Sequence, residues 1–169
     1  LLDKTEGAAE LFTDQTTTTT AHMTTTADRI KNMALAYGSY GSELYQDESL
    51  LEDILYSLEW FYQNRYGEDE INGIGWRSTS AYNWHDWKIG TPYAIMYTMM
   101  IVRDSLSSEQ ISNYLKCFHH VSPTTYSSGA NYMDACELII CAAALEKDPE
   151  RINEYKEKAE GNFMYVENA

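Results

Sequence analysis

From Ala27 onward the apolar residues recur every three to four positions, in six separate runs divided by capping residues, glycines or prolines. That rhythm admits little except a bundle of helices. In the first run Ile30, Met33, Ala34 and Tyr37 share a face, and Gly38 supplies a stop. Asp47 or Ser49 can cap the second, whose stripe is Leu51, Ile54, Leu55, Leu58, Phe61 and Tyr62 and which ends near Tyr66-Gly67. The third starts around Trp87 to Pro92 and carries Ile89, Tyr93, Met96, Met99 and Met100. Ser107 to Gln110 has the spacing of a capping box and opens a fourth, with Ile111, Tyr114, Leu115 and Phe118 inward. The fifth runs from about Ala130 to Lys147. Its middle, Leu138 to Leu145, is apolar nearly all round and is expected to lie centrally. Asp148-Pro149 then reads as a cap and first-turn proline for a sixth helix, to about Glu160.

No stretch reads as a strand; Asn72-Gly73 could turn only a small hairpin within the polar segment 67–86. A second polar loop spans about 119–129. The threonine runs Thr16 to Thr20 and Thr24 to Thr26 are β-branched and poor in helix propensity. Residues 1–26 are therefore expected to form an extended segment, with a threonine at its end capping the first helix, and 27–169 the helical domain. The expected fold is all-α, built of antiparallel helical hairpins. If successive helices alternate in direction, the third and fifth run the same way. The loop carrying Asn83-Trp84-His85 and the one carrying Ser128-Gly129-Ala130-Asn131 then become neighbours at one end, where unpaired helix N–H groups favour an anion.

The formal net charge of −14 argues against a nucleic-acid or anionic-membrane binder, which needs clustered cations. It leaves room for an anionic ligand at one locally positive site, since exposed charges beyond about 8 Å are screened at physiological salt. Tyrosines number 14 against 4 phenylalanines, a bias toward wet grooves and half-buried faces. Cys117, Cys136 and Cys141 make an odd set without a disulfide framework and read as small buried hydrophobes. No run reaches the ~18 apolar residues of a membrane span. The start at Leu1-Leu2-Asp3 and the stop at Ala169 are expected to be boundaries within a longer protein.

The chemistry concentrates in Tyr82-Asn83-Trp84-His85-Asp86-Trp87-Lys88-Ile89-Gly90-Thr91-Pro92. Aromatic faces among short polar side chains suit sugar rings, because the face stacks while the polar groups reach hydroxyls. Pro92 limits how early the helix can begin, so Trp84 is expected in the loop, stacking on sugar, and Trp87 in the first turn, in the core. His85 is either a ligand contact or structural, and Asp86 reads as the cap of the third helix. Asn131, after the small Gly129 and Ala130, either caps its helix or donates to a carboxylate. Adjacent histidines point apart on a helix, so His119-His120 makes no metal site. No motif for zinc, calcium, phosphate or a serine nucleophile is present, and no cofactor is implied.

These residues resemble a family. Asn83 through Pro92 is similar to the Asn-Trp-Trp-Asp-Trp/Tyr-x-Ile-Gly-x-Pro-Arg motif of polysaccharide lyase family 8, and Gly129-Ala130-Asn131-Tyr132-Met133-Asp134 resembles its Gly-Ala/Gly-Asn-x-x-Asp motif. Arg29 to Tyr37 and Leu58 to Tyr66 also resemble its N-terminal helices, so the likeness covers about residues 25–160 in order. It implies an incomplete (α/α) toroid and β-elimination on a uronic-acid glycan such as hyaluronan, chondroitin or xanthan. Asn131 would neutralise the uronate carboxylate as the catalytic asparagine. Trp84 and His85 would form the aromatic patch, and Asn83 a nearby polar contact. No cofactor or metal is implied. The partners implied are acidic polysaccharide and the C-terminal remainder of the enzyme, with no nucleic acid and no membrane. The setting implied is extracellular or cell-surface, in a bacterium.

Two positions depart from the pattern: His85 stands where many members have a second tryptophan, and Tyr93 where many have arginine. The family's catalytic histidine, tyrosine and arginine lie beyond a segment resembling Phe163-Met164-Tyr165-Val166, past this chain's last residue. The chain alone is therefore expected to bind glycan weakly without turnover. Two rival readings remain: a non-catalytic carbohydrate-binding α/α module, and a structural helical domain that would bury Trp84 by more than nine-tenths.

Overall fold

The computed structural model describes residues 1–67, 82–118, 121 and 129–163. Six α-helices form in order: α1 (Thr20–Gly38), α2 (Glu48–Asn64), α3 (Thr91–Ile101), α4 (Ser108–Lys116), α5 (Ala130–Glu146) and α6 (Pro149–Glu160). A π-helical turn, Asp86–Gly90, leads directly into α3, and a 3₁₀ turn, Arg103–Ser105, follows it. No strand occurs among the described residues; only isolated bridges join Leu2 to Phe12 and Phe12 to Gln15. Local chemistry sets the ends. Asp47 accepts from the Leu50 N–H, Ser107 and Gln110 form the full capping box, and Asp148 accepts from the Arg151 N–H ahead of Pro149.

Side-chain contacts fix the directions. Thr24 near the start of α1 meets Thr91 at the start of α3, while Gly38 at the end of α1 lies against Ile101 at the end of α3. Those two helices are therefore parallel. Tyr93 reaches Asp134 and Glu137, and Tyr97 reaches Glu137, so α5 runs the same way as α3. Tyr66 just past α2 and Cys117 just past α4 both come to the start of the third helix: the Tyr66 hydroxyl donates to the Trp87 carbonyl, and the Cys117 thiol to the Tyr66 carbonyl. Thus α2 and α4 run opposite. Tyr132 early in α5 meets Lys158 late in α6, an antiparallel pair. The up-and-down alternation expected from the sequence is observed, and it gathers the N-termini of α1, α3 and α5 at one end.

The core runs between the helices through Met23, Ile30, Ile54, Phe61, Met96, Met99 and Leu138. As expected, α5 is central, packed on α3, α4 and α6, with Leu138, Ile139, Ala142, Ala143 and Leu145 buried. The N-terminal expectation needs correction. α1 begins at Thr20, capped by Thr19, rather than at Ala27, and Thr17, Thr20 and Thr26 are buried rather than spread over the surface. A weak β-branched penalty is outweighed by burying one threonine face. The residues before α1 are tied down: Arg65 reaches the Ala9 carbonyl, Glu10 and Thr17 while lying over the Trp60 ring, and Arg29 grips Asp14 through two bonds of 2.8 and 3.1 Å. The hairpin expected at Asn72-Gly73 lies outside the described residues.

Candidate glycan-binding end of the bundle

The third helix starts earlier than Pro92 suggested. Trp84 and His85 are already helical; the Trp87 N–H donates to the Asn83 carbonyl at 3.2 Å, and the His85 N–H to Asn83 Oδ1 at 2.9 Å. Asn83 is therefore the cap, and Asp86, expected in that role, lies one turn inside. Trp84, expected in the loop, occupies the first turn. Pro92 is accommodated by the π-turn: the Thr91 N–H bonds back five residues to the Asp86 carbonyl. That wider turn takes up the bond a proline cannot donate and the ring clash it would make in a regular helix.

α1 clamps this turn. The Asn83 N–H donates to Thr20 Oγ1 at 2.8 Å, and the Thr20 hydroxyl donates to Asp86 Oδ2 at 3.4 Å. One turn on, the Thr24 and Thr91 hydroxyls are 2.9 Å apart. Gly90 lets α1 come close here, since a Cβ on it would sit 3.1 Å from Thr24 Cγ2 and crowd it. Inside, Trp87 is 1% exposed, with its ring edge-on to Tyr66 at 4.7 Å between centroids. That is the core position expected for it.

Outside, Trp84 is 42% exposed, with His85 edge-on to it at 5.6 Å, and Asn83 is exposed beside them. The purely structural reading required Trp84 more than nine-tenths buried, and it is not. Across the end, α5 opens on Gly129 at φ 84°, ψ −164°, a backbone state reserved for glycine. No side chain caps α5, so Asn131, half-buried in its first turn, is not the capping residue. The tyrosine–carboxylate ladder sets Asn131 about 9 Å short of Trp84 along the shared helix direction, at 1.5 Å per residue.

That ladder lies just below. The Tyr93 hydroxyl donates to Glu137 at 2.6 Å and approaches Asp134 at 3.4 Å, and the Tyr97 hydroxyl donates to the other Glu137 oxygen at 3.1 Å. Tyr93, in place of the arginine of the family pattern, meets these carboxylates with a hydroxyl instead of a charge. Burial, then the Glu137 carboxylate, pushes the Tyr93 hydroxyl well above its ordinary pKa. Glu137 likewise raises Tyr97.

Among the described residues no group of three or more His, Cys, Asp or Glu side chains could hold a metal ion. His119 and His120 lie outside the described residues. Cys117, Cys136 and Cys141 are free thiols; burial raises the last two. No helix of the described residues is long and apolar enough to cross a membrane. Sequence reasoning missed Thr20, Thr24 and Thr91. Their signal was present: Thr17, Thr20 and Thr24 fall at helical spacing within a run dismissed for its composition.

Known proteins resemble this chain in sequence and fold. The family model described as polysaccharide lyase family 8, N terminal alpha-helical domain, matches residues 1–169. A xanthan lyase of Bacillus sp. (strain GL1) is 32% identical over 121 residues, which is 72% of this chain and 12% of that protein. The hyaluronate lyase HylB of Enterococcus faecalis is 28% identical over 159 residues, 81% of this chain and 15% of that protein. Among solved structures, a Paenibacillus xanthan lyase superposes with a TM-score of 0.82 at 26% identity, over 98% of this chain and 15% of that one. The Streptomyces coelicolor chondroitin AC lyase, solved with chondroitin sulphate, gives 0.73 at 25% identity over 86% and 20%. The chain thus spans about an eighth to a fifth of the proteins it matches. Its helices are part of the α/α toroid those lyase structures share, and the chain belongs to polysaccharide lyase family 8, in its N-terminal α-helical domain.

Proposed function

We propose that this chain supplies the substrate-holding and carboxylate-neutralising part of a lyase that cleaves a uronic-acid glycan by β-elimination. One observation carries the reading: an exposed Trp84–His85 pair and the Asn131 turn occupy the same end of the bundle, where helix N-termini converge. Trp84 stacks on a sugar face, with His85 and Asn83 beside it. Asn131 donates from its amide to the uronate carboxylate, helped by the positive end of the α5 dipole. Neutralising that carboxylate acidifies the C5 proton. A base then takes the proton, its electron pair forms the C4–C5 double bond, and the C4–O bond breaks as the leaving sugar oxygen gains a proton. The base and acid come from the part of the enzyme that follows this chain in family members. The substrate is acidic polysaccharide of the hyaluronan, chondroitin or xanthan class, met outside a bacterial cell.

The test is to titrate the chain with hyaluronan, chondroitin and xanthan oligosaccharides by NMR, and to follow the ultraviolet absorbance of unsaturated uronate. The expected result is weak binding that shifts Trp84 and Asn131 signals, no absorbance rise, and loss of binding to uronate-containing oligosaccharides in Asn131→Ala. Turnover by the chain alone, or shifts confined to the opposite end of the bundle, would overturn the reading.

A further inference from the structure

The platform residues Trp84 and His85 sit on an exposed turn, and exposed side chains take their bearing from the backbone that carries them. That backbone is held from α1. Thr20 is 1% exposed, and its hydroxyl serves both sides of the turn at once: it accepts from the Asn83 N–H at 2.8 Å and donates to Asp86 Oδ2 at 3.4 Å. A hydroxyl is the smallest group that can accept and donate together. Asn83 is the cap and Asp86 opens the π-turn, so the bridge spans the three-residue step in which Trp84 and His85 point outward. Thr24 repeats the grip one turn along, with Thr91 and the Asp86 carbonyl. On a regular helix Trp84 and Trp87, three apart, would share a face. Here one is 42% and the other 1% exposed: Trp84 lies in the first turn, at the end of the bundle, and Trp87 one turn further in.

We propose that Thr20 is a positioning residue for glycan binding: its buried hydroxyl fixes the turn that aims Trp84 and His85 at the ligand. This assignment rests on the platform reading above. Thr20 is buried, so its effect on the platform passes through the turn that Asn83 and Asp86 belong to.

The experiment measures affinity of the whole chain for hyaluronan and xanthan oligosaccharides by NMR titration at millimolar ligand, for Thr20→Val, Thr20→Ser and Trp84→Ala. Val keeps the shape of threonine and removes both hydrogen bonds; Ser restores the hydroxyl. The expected result is a Kd raised about tenfold in Thr20→Val, from two lost bonds, and a native Kd in Thr20→Ser. Native affinity in Thr20→Val, or equal loss in both Thr20 variants, overturns the assignment. If Trp84→Ala binds as the native chain does, the platform reading itself fails and takes the assignment with it. If Trp84→Ala weakens binding while Thr20→Val does not, only the role of Thr20 fails. Should Thr20→Val not fold, Asp86→Ala breaks the same bridge from its outer end, with about threefold weaker binding expected and unchanged binding as the overturning result.

Discussion

Trp84 and Trp87 are three residues apart, yet the structure gives them opposite work, and substitution should separate stability from binding cleanly. Trp87 is 1% exposed and packed edge-on against Tyr66. Truncation to alanine would cost about 3–5 kcal/mol, a large part of what holds a domain folded. Trp87→Phe is the usable variant: it keeps a ring, loses part of the contact, and costs about 2 kcal/mol. At roughly 2–4 °C per kcal/mol for a domain of this size, its melting temperature falls by about 4–8 °C.

Trp84 is 42% exposed, its ring contact with His85 is an edge contact at 5.6 Å, and its removal costs within about 1 kcal/mol. A tryptophan exposed to that degree offers roughly 100 Å² of ring. A sugar covering half of it removes roughly 50 Å² from water, worth about 1.3 kcal/mol and so about tenfold in Kd. The assays are thermal unfolding by circular dichroism and titration with a uronate oligosaccharide. Trp84→Ala should melt almost as the native chain does and bind about tenfold more weakly; Trp87→Phe should melt low and bind normally when folded. A Trp84→Ala variant that loses as much stability as Trp87→Phe would refute the reasoning, because the ring would then be acting as core.

Gly129→Ala meets open space but a backbone at φ 84°, ψ −164°, so strain alone should cost about 1–3 kcal/mol; an unchanged melting temperature would show that α5 can start another way. Gly90→Ala drives a methyl to 3.1 Å from Thr24 Cγ2, whose hydroxyl is held by Thr91. It should lose about 1 kcal/mol by crowding, and Thr24→Ser in the same chain should restore most of it, as a double-mutant cycle would read. Tyr93 and Tyr114 are both raised above 10.0, by burial first and then by Glu137 and Glu59 respectively. The folded chain thus keeps protons that the unfolded chain releases. Their contribution is full below pH 10 and is lost as pH climbs beyond it toward the folded values. Melting temperatures recorded upward from pH 9 should fall, and less steeply in Tyr93→Phe.

How much of this was legible beforehand divides by range. Caps at Asp47, Ser107 and Asp148 were readable because each depends on a few consecutive residues, and they appear where the sequence put them. The central α5 was readable because a helix apolar all round has nowhere else to go. The direction of α3 and α5, and hence the shared end, followed from alternation alone. The start of the third helix was not readable. Pro92 forbids a regular turn, and a π-turn solves that problem only because α1, more than sixty residues earlier in the chain, grips it through Thr20 and Thr24. Propensity spoke against those threonines, and long-range burial decided for them. The division between outward Trp84 and inward Trp87 was expected, but on the argument that a loop held the former.

The remaining tension is electrostatic: a chain of charge −14 is assigned a polyanionic ligand. The groups assigned to the contact, Asn83, Trp84, His85 and Asn131, carry no negative charge. Among the described residues, carboxylates close by in sequence each accept from a hydroxyl on a neighbouring helix: Asp86 from Thr20, Asp134 and Glu137 from Tyr93, and Glu137 also from Tyr97. Those bonds engage the negative oxygens within the protein at and just below this end of the bundle. What faces outward there is the positive end of aligned peptide dipoles, equivalent to roughly half a charge at each helix N-terminus. That positive charge acts at contact distance, whereas the distributed acidic surface is screened beyond about 8 Å. The acidic surface then opposes approach while the end of the bundle rewards contact. Added salt should speed association of a uronate chain with this domain, the reverse of what a basic polyanion binder shows.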